Sequence, residues 1–172
     1  MSEQSQKSVR CWLGTSGTKE QEKLRGIVRS RGIPISLYAA LIEVESGGQP
    51  AIVSWAGAVG LGQIMPSDPV VDPAHFDWLT PAAAKETAAE MQRSFRAMFS
   101  DRPTTAQLKL PCVNIAWGTQ ILQYGLMNWG GDLDRALAAY LGGITAAGVI
   151  TDEGQHYVNL VRACQEHFRD LD

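Results

Sequence analysis

The sequence has no long apolar run, little cysteine or histidine, and no large surplus of either charge, and each shortage removes a class of function. The uncharged stretch at residues 136–151 is shorter than a membrane span and carries Gly142, Gly143 and Gly148, and the longer ones at 46–67 and 110–131 are broken up by proline, glycine, glutamine and asparagine, so no membrane-spanning helix is expected. Three cysteines, Cys11, Cys112 and Cys164, cannot all pair within one chain. Their spacings fit neither a zinc knuckle nor a redox pair, which leaves buried or incidental thiols. His75, His156 and His167 are scattered, so neither a metal site nor any other cofactor is expected. A formal charge of −3 gives no general electrostatic footprint for nucleic acid or an anionic membrane. The opening residues, MSEQSQKSVRCWLGTSG, are polar and lack the apolar core of a secretory signal, so nothing in them is expected to direct export.

What is present is an ordinary globular composition: 172 residues, 45% hydrophobic and 19% charged, enough to bury one core. Residues 1–16 read as a polar N-terminal tail and 17–172 as a single domain, because apolar periodicity begins only after Thr18. Thr18 with Gln21 forms a capping-box pattern, and Leu24, Ile27 and Val28 make a helical stripe that stops at Gly32. Pro34 opens a second helix carrying Leu37, Tyr38, Leu41 and Ile42, closed by Gly47-Gly48. A glycine-rich stretch with Gly57, Gly60 and Gly62 predicts a sheltered turn or short hairpin. A proline-rich connector follows Pro66. Further helices are predicted at 82–99, from Pro111 to Trp129, from Leu133 to Leu141 behind the cap Asp132, and at about 154–168. The expected fold is all-α, with at most one short β-hairpin.

Glu45 is the residue that carries chemistry. At about 100° of rotation per residue it falls within roughly 40° of both Leu41 and Tyr38, on the apolar face of its helix, whereas Glu43 falls nearly opposite. Burial disfavours the carboxylate, and so does the negative end of the helix dipole in the last turn. Both raise the pKa of Glu45, as a general acid at neutral pH requires. From helix position alone, a glutamate that reaches solvent or pairs with a basic residue is the more ordinary outcome.

The surrounding text adds what position cannot. Residues 40–47, ALIEVESG, followed by 53–66, VSWAGAVGLGQIMP, resemble paired motifs of the soluble lytic transglycosylases, relatives of goose-type lysozyme. PCVNIAWG at 111–118 is similar to that family's Asn-Ile-x-x-Gly helix, and AAYLGG at 138–143 to its Ala-Tyr-Asn-x-Gly segment. The likeness runs over roughly residues 20–165. It implies a lysozyme-like fold, Glu45 as the single catalytic acid/base, and Ser54, Gln63, Met65, Asn114 and Tyr140 as substrate-binding or orienting residues. Two positions depart from the pattern: Leu141 stands where the family commonly has Asn, and Gly62 replaces a frequent Met. The connector and helix between Pro66 and Asn114 are also longer than in compact members.

The implied substrate is the β-1,4 bond between N-acetylmuramic acid and N-acetylglucosamine in peptidoglycan glycan strands, cut with formation of a 1,6-anhydro ring. The expected setting is the bacterial cell wall, reached by export or by phage delivery, and the expected state is a monomer. Two other readings remain open at this stage: a muramidase that hydrolyses the same bond, with Asp68 or Asp72 as a second carboxylate, and a catalytically silent wall-binding or virion module. Ser46 reads as a helix-end hydrogen bonder, since no His or Lys base sits at an evident spacing. Trp78, Trp117 and Trp129 read as core, while Trp55 tilts towards exposure. Arg93, Arg96 and Arg102 read as a solvated helix face.

Overall fold

The structure is a computed structural model that describes residues 3–172. Eight α-helices are found among the described residues: α1 (Glu3–Leu13), α2 (Lys19–Ser30), α3 (Ile35–Ser46), α4 (Pro81–Met98), α5 (Thr105–Leu108), α6 (Pro111–Asn128), α7 (Leu133–Leu141) and α8 (Asp152–Gln165). Two 3-10 turns, Pro73–Phe76 and Glu166–Leu171, complete the helical content. Extended pairing among these residues amounts to the isolated bridges Val53–Val59, Val59–Ile64 and Ile144–Ile150. The fold is mostly helical and lysozyme-like, and the bridges at 53–64 form the short hairpin of the glycine-rich stretch.

α3 runs through the centre because it is apolar on every side, and a helix of that kind has to be enclosed. Every residue from Ile35 to Glu43 is buried, packed by α1, α2, α8 and the turn 166–171. α6 joins α2 and α7 to this core, to which it gives Ile115 and Leu122. A smaller cluster of Val71, Phe76, Ala84 and Ala88 fixes the connector against α4. The helix starts follow the capping chemistry in the sequence. Thr18 and Gln21 complete a capping box, Thr104 and Gln107 form a second one, and Asp132 and Thr151 cap α7 and α8.

Three expectations need correction. First, the polar tail is a helix. Within α1, Val9 and Leu13 are fully buried and the Trp12 indole donates to the Gly48 carbonyl at 2.9 Å. Gln21 donates to the carbonyls of Arg10 and Cys11, and Arg10 grips Asp170 through both terminal nitrogens. The apolar stripe of α1 is only Val9, Trp12 and Leu13, a single turn of signal inside polar text, and its partners lie far along the chain. The first two residues of that expected tail lie outside the described residues.

Secondly, Glu43 is not on an open face. α1 covers it, and the Ser5 hydroxyl donates to one of its carboxylate oxygens at 2.9 Å. Thirdly, Trp78 is 68% exposed, whereas Trp117 and Trp129 are half-buried. Trp55 is exposed as expected, with one face stacked on His75 at 3.7 Å between ring centres.

Candidate active site

α3 delivers Glu45 in its last turn, half-buried. Burial pushes its carboxyl up to about 7, and a hydrogen bond donated by the Tyr157 hydroxyl to Oε1, at 2.5 Å, works against that rise. The group therefore changes charge near neutrality, where it can give up a proton and take one back. Tyr157 comes from α8, 112 residues away in sequence, and is itself buried. Burial, reinforced by the Glu45 charge, holds its phenol well above the ordinary tyrosine range, so the hydroxyl stays a donor.

Two more tyrosines surround the carboxyl. Tyr38, two turns before Glu45 on α3, is fully buried, and Tyr140 of α7 donates its hydroxyl to the Gly62 carbonyl at 2.8 Å. Burial raises both phenols above the usual range, with the Glu45 charge contributing. The two hydroxyls converge on a notch formed by Gly62 and Gly118. A Cβ at residue 118 would lie 2.1 Å from the Tyr38 hydroxyl, and one at residue 62 would lie 2.7 Å from that of Tyr140. The small residue at 62 thus makes room for phenol oxygens.

The loop 60–66 is pegged from two helices. Asn114 of α6 accepts from the Gly62 amide at 2.8 Å and donates to the carbonyls of Val59 and Leu108. The Gly62 peptide is thereby held on its N–H side by Asn114 and on its carbonyl side by Tyr140. The next residue, Gln63, adopts a left-handed backbone (φ 48°) and its side chain donates to the Gly60 carbonyl. A non-glycine residue in that region carries strain that the surroundings must hold in place.

The sequence-predicted residues separate on this geometry. Gln63, Met65 and Tyr140 line one cavity of about 270 Å³, together with Leu141. Asn114 has no exposed surface and all its amide atoms are engaged by backbone, so it does not reach a sugar. That corrects its assignment as a direct contact; its work is to hold the loop. The Ser54 hydroxyl accepts from the Ala58 amide at 3.0 Å, inside the hairpin turn. Ser46 bonds the carbonyls of Leu61 and Ile42, as a helix-end residue does. Asp68 accepts from the Thr105 backbone and hydroxyl, and Asp72 caps the 3-10 turn through the Ala74 amide. Both bind the starts of helical turns, Asp68 from across the connector, and both are exposed.

Tyr157 is the residue that sequence reasoning missed. It lies on the buried side of α8, and the one available signal was that a buried tyrosine hydroxyl needs a partner.

Residues 25–70 match the family model described as the Transglycosylase SLT domain. That segment holds Glu45 and the pegged loop. The likeness to the SLT family is carried by this segment. Outside residues 25–70, α6, α7 and α8 bring Asn114, Tyr140 and Tyr157 onto the SLT segment. Among similar proteins, the endo-type membrane-bound lytic murein transglycosylase A of Citrobacter koseri is 35% identical over 98 residues, covering 55% of this chain and 38% of that protein. Its counterpart in Enterobacter sp. is 33% identical over 99 residues, covering 56% and 39%. The one from Klebsiella pneumoniae is 56% identical over a shorter 36-residue stretch, 21% of this chain and 18% of that protein. The matches with Citrobacter and Enterobacter span about two fifths of the length of those relatives.

Proposed function

We propose that this SLT domain cleaves the β-1,4 bond between N-acetylmuramic acid and N-acetylglucosamine of peptidoglycan as a lytic transglycosylase acting at the bacterial cell wall. The observation that carries the reading is Glu45: a half-buried carboxyl, raised to about 7 and steered by the Tyr157 hydroxyl, inside the segment that matches the family. Protonated, Glu45 donates to the glycosidic oxygen as the bond to the muramoyl anomeric carbon breaks. The substrate's 2-acetamido group stabilises that carbon, and Glu45, now a base, removes the proton from the C6 hydroxyl. The C6 oxygen then bonds the anomeric carbon to close the 1,6-anhydro ring, and Glu45 ends as it began. Gln63, Met65 and Tyr140 face the substrate, while Ser54 and Asn114 act through the loop they hold.

Hydrolysis is the weaker reading. An ordinary glycosidase needs a second carboxylate about 5 to 9.5 Å from the first, and both candidates, Asp68 and Asp72, are engaged in capping helix starts. Mass spectrometry of fragments released from purified sacculi tests the proposal. Anhydromuramoyl ends are expected, and reducing ends in their place would reverse it in favour of a muramidase. Glu45→Gln is expected to lower the rate by 10²-fold or more, about the contribution of a positioned acid/base; a variant as active as the parent would remove Glu45 from the mechanism.

A further inference from the structure

Arg102 does not belong to the solvated face on which sequence reasoning placed it. It lies beyond the end of α4, half-buried, with its guanidinium 4.2 Å over the Phe99 ring and Nη1 donating to the Met65 carbonyl at 3.5 Å. Burial lowers its pKa, so the charge loses solvation there. Arg10 and Arg162 meet carboxylates, those of Asp170 and Asp134, and Arg25 spends both terminal nitrogens on the carbonyls of Leu13 and Leu171. Arg102 makes no ion pair among the described residues; Asp101 attracts it only at longer range. A guanidinium presents five donors in a planar fork suited to a carboxylate, and this one has a single long bond to a carbonyl.

Its location gives that unused capacity a direction. Arg102 lines the 270 Å³ cavity of Gln63, Met65 and Tyr140, and it also lines a second cavity of about 340 Å³ with Trp117 and Tyr124. Phe99, Arg102 and Ile121 line both, so the two cavities flank the arginine. On a peptidoglycan strand the sugar rings are uncharged, and carboxylates are carried only on the branch at the muramoyl lactyl group. In peptide-bearing strands they belong to the stem peptide; in peptide-free strands the lactyl carboxylate itself is exposed.

We infer that Arg102 is a specificity-determining residue that binds a carboxylate of this branch between the two cavities. The inference rests on the proposed peptidoglycan substrate. The cation–π contact with Phe99 restrains the guanidinium, and its remaining donors are suited to a two-pronged contact with the anion.

Steady-state cleavage by the parent, Arg102→Gln and Arg102→Lys provides the test, on intact strands and on strands stripped of peptides with an amidase. Thermal unfolding of each variant is followed in parallel. The expected result for Arg102→Gln is a rise in KM on the order of tenfold with kcat little changed, as loss of a charge-assisted contact predicts. Arg102→Lys, which keeps the charge without the fork, should fall between the two. A rise confined to peptide-bearing strands assigns the stem peptide, and one confined to stripped strands assigns the lactyl carboxylate. An unchanged KM on both, or the same loss on both, overturns the inference, because a merely structural role moves the two substrates together.

Calorimetric titration of a purified peptide-bearing disaccharide into the parent and Arg102→Gln separates the inference from the activity on which it rests. Binding that depends on Arg102 without cleavage would sink the transglycosylase reading and leave the carboxylate site standing. Cleavage with Arg102-independent KM would do the reverse.

Discussion

At the scale of single residues, the raised pKa of Glu45 ties activity to stability. Below its reference value of 4.5 the carboxyl is protonated in both folded and unfolded chains. As pH rises from 4.5 to about 7 the unfolded chain gives up the proton first, so the contribution of the protonated folded form declines, and it is gone above about 7. Glu45→Gln carries a neutral amide at every pH. The variant should therefore unfold less readily than the parent at pH 8, by on the order of 2 to 3 kcal/mol, with the gap nearly closed at pH 4. Denaturant unfolding at the two pH values measures it; an equal gap at both would mean that the carboxyl is not destabilised in the fold. Tyr157→Phe removes the hydrogen bond that lowers the Glu45 pKa. Because the protonated acid starts the reaction, the alkaline limb of kcat/KM against pH should move upward in that variant, and a limb moving downward would contradict the role given to Tyr157.

At the scale of elements, the approach of α3 to α6 depends on one missing side chain. Gly118 sits in the middle of α6, where Ala would ordinarily gain about 1 kcal/mol of helix propensity. Here the added Cβ would lie 2.1 Å from the Tyr38 hydroxyl, and the fully buried ring has little room to retreat. Gly118→Ala should cost about 1 to 3 kcal/mol, as overpacking does. Tyr38→Phe removes the hydroxyl that obstructs the added methyl. The double variant should recover most of the loss when melting temperatures are compared around the mutant cycle. Simple additivity would show that the clash is relieved elsewhere.

The element scale also shows what could be read in advance. The starts of α2, α6 and α7 are written locally, in Thr18 with Gln21, in Pro111 and in Asp132, and the helices begin where those residues put them. α5 and the 3-10 turn Pro73–Phe76 lie in text that reads only as connector, because four residues carry too little periodicity to declare a helix. The candidate site divides in the same way. Glu45 and the loop through Pro66 are adjacent in sequence and legible from it. The Tyr157 contact spans 112 residues and the Asn114 bond to Gly62 spans 52, so each depends on packing that no local pattern states.

At the scale of the whole molecule, α1 decides how firmly the Glu45 helix is anchored at its end. The Trp12 indole holds the Gly48 carbonyl, Val9 and Leu13 enter the main core, and Arg10 ties α1 to Asp170 near the other end of the chain. Removing residues 1–16 should lower the melting temperature by well over 5 °C, since two fully buried side chains and the Arg10 pair are lost together. A truncated chain that melts with the parent would show that α1 contributes nothing to the core. Glu43 gives a finer reading of the same event. With α1 removed its carboxylate is uncovered, and backbone amide exchange in the last turn of α3 should quicken before exchange in α6 does.

The bond from Tyr157 to Glu45 places a chromophore against the group that ionises. Charging a carboxylate 2.5 Å from a phenol oxygen shifts the ring's electronic transitions. An ultraviolet difference spectrum of the unmodified protein, recorded across pH 5 to 9, should therefore follow the protonation of Glu45 without label or substrate. The same absorbance band would register the displacement of that proton whenever a glycan enters the cleft.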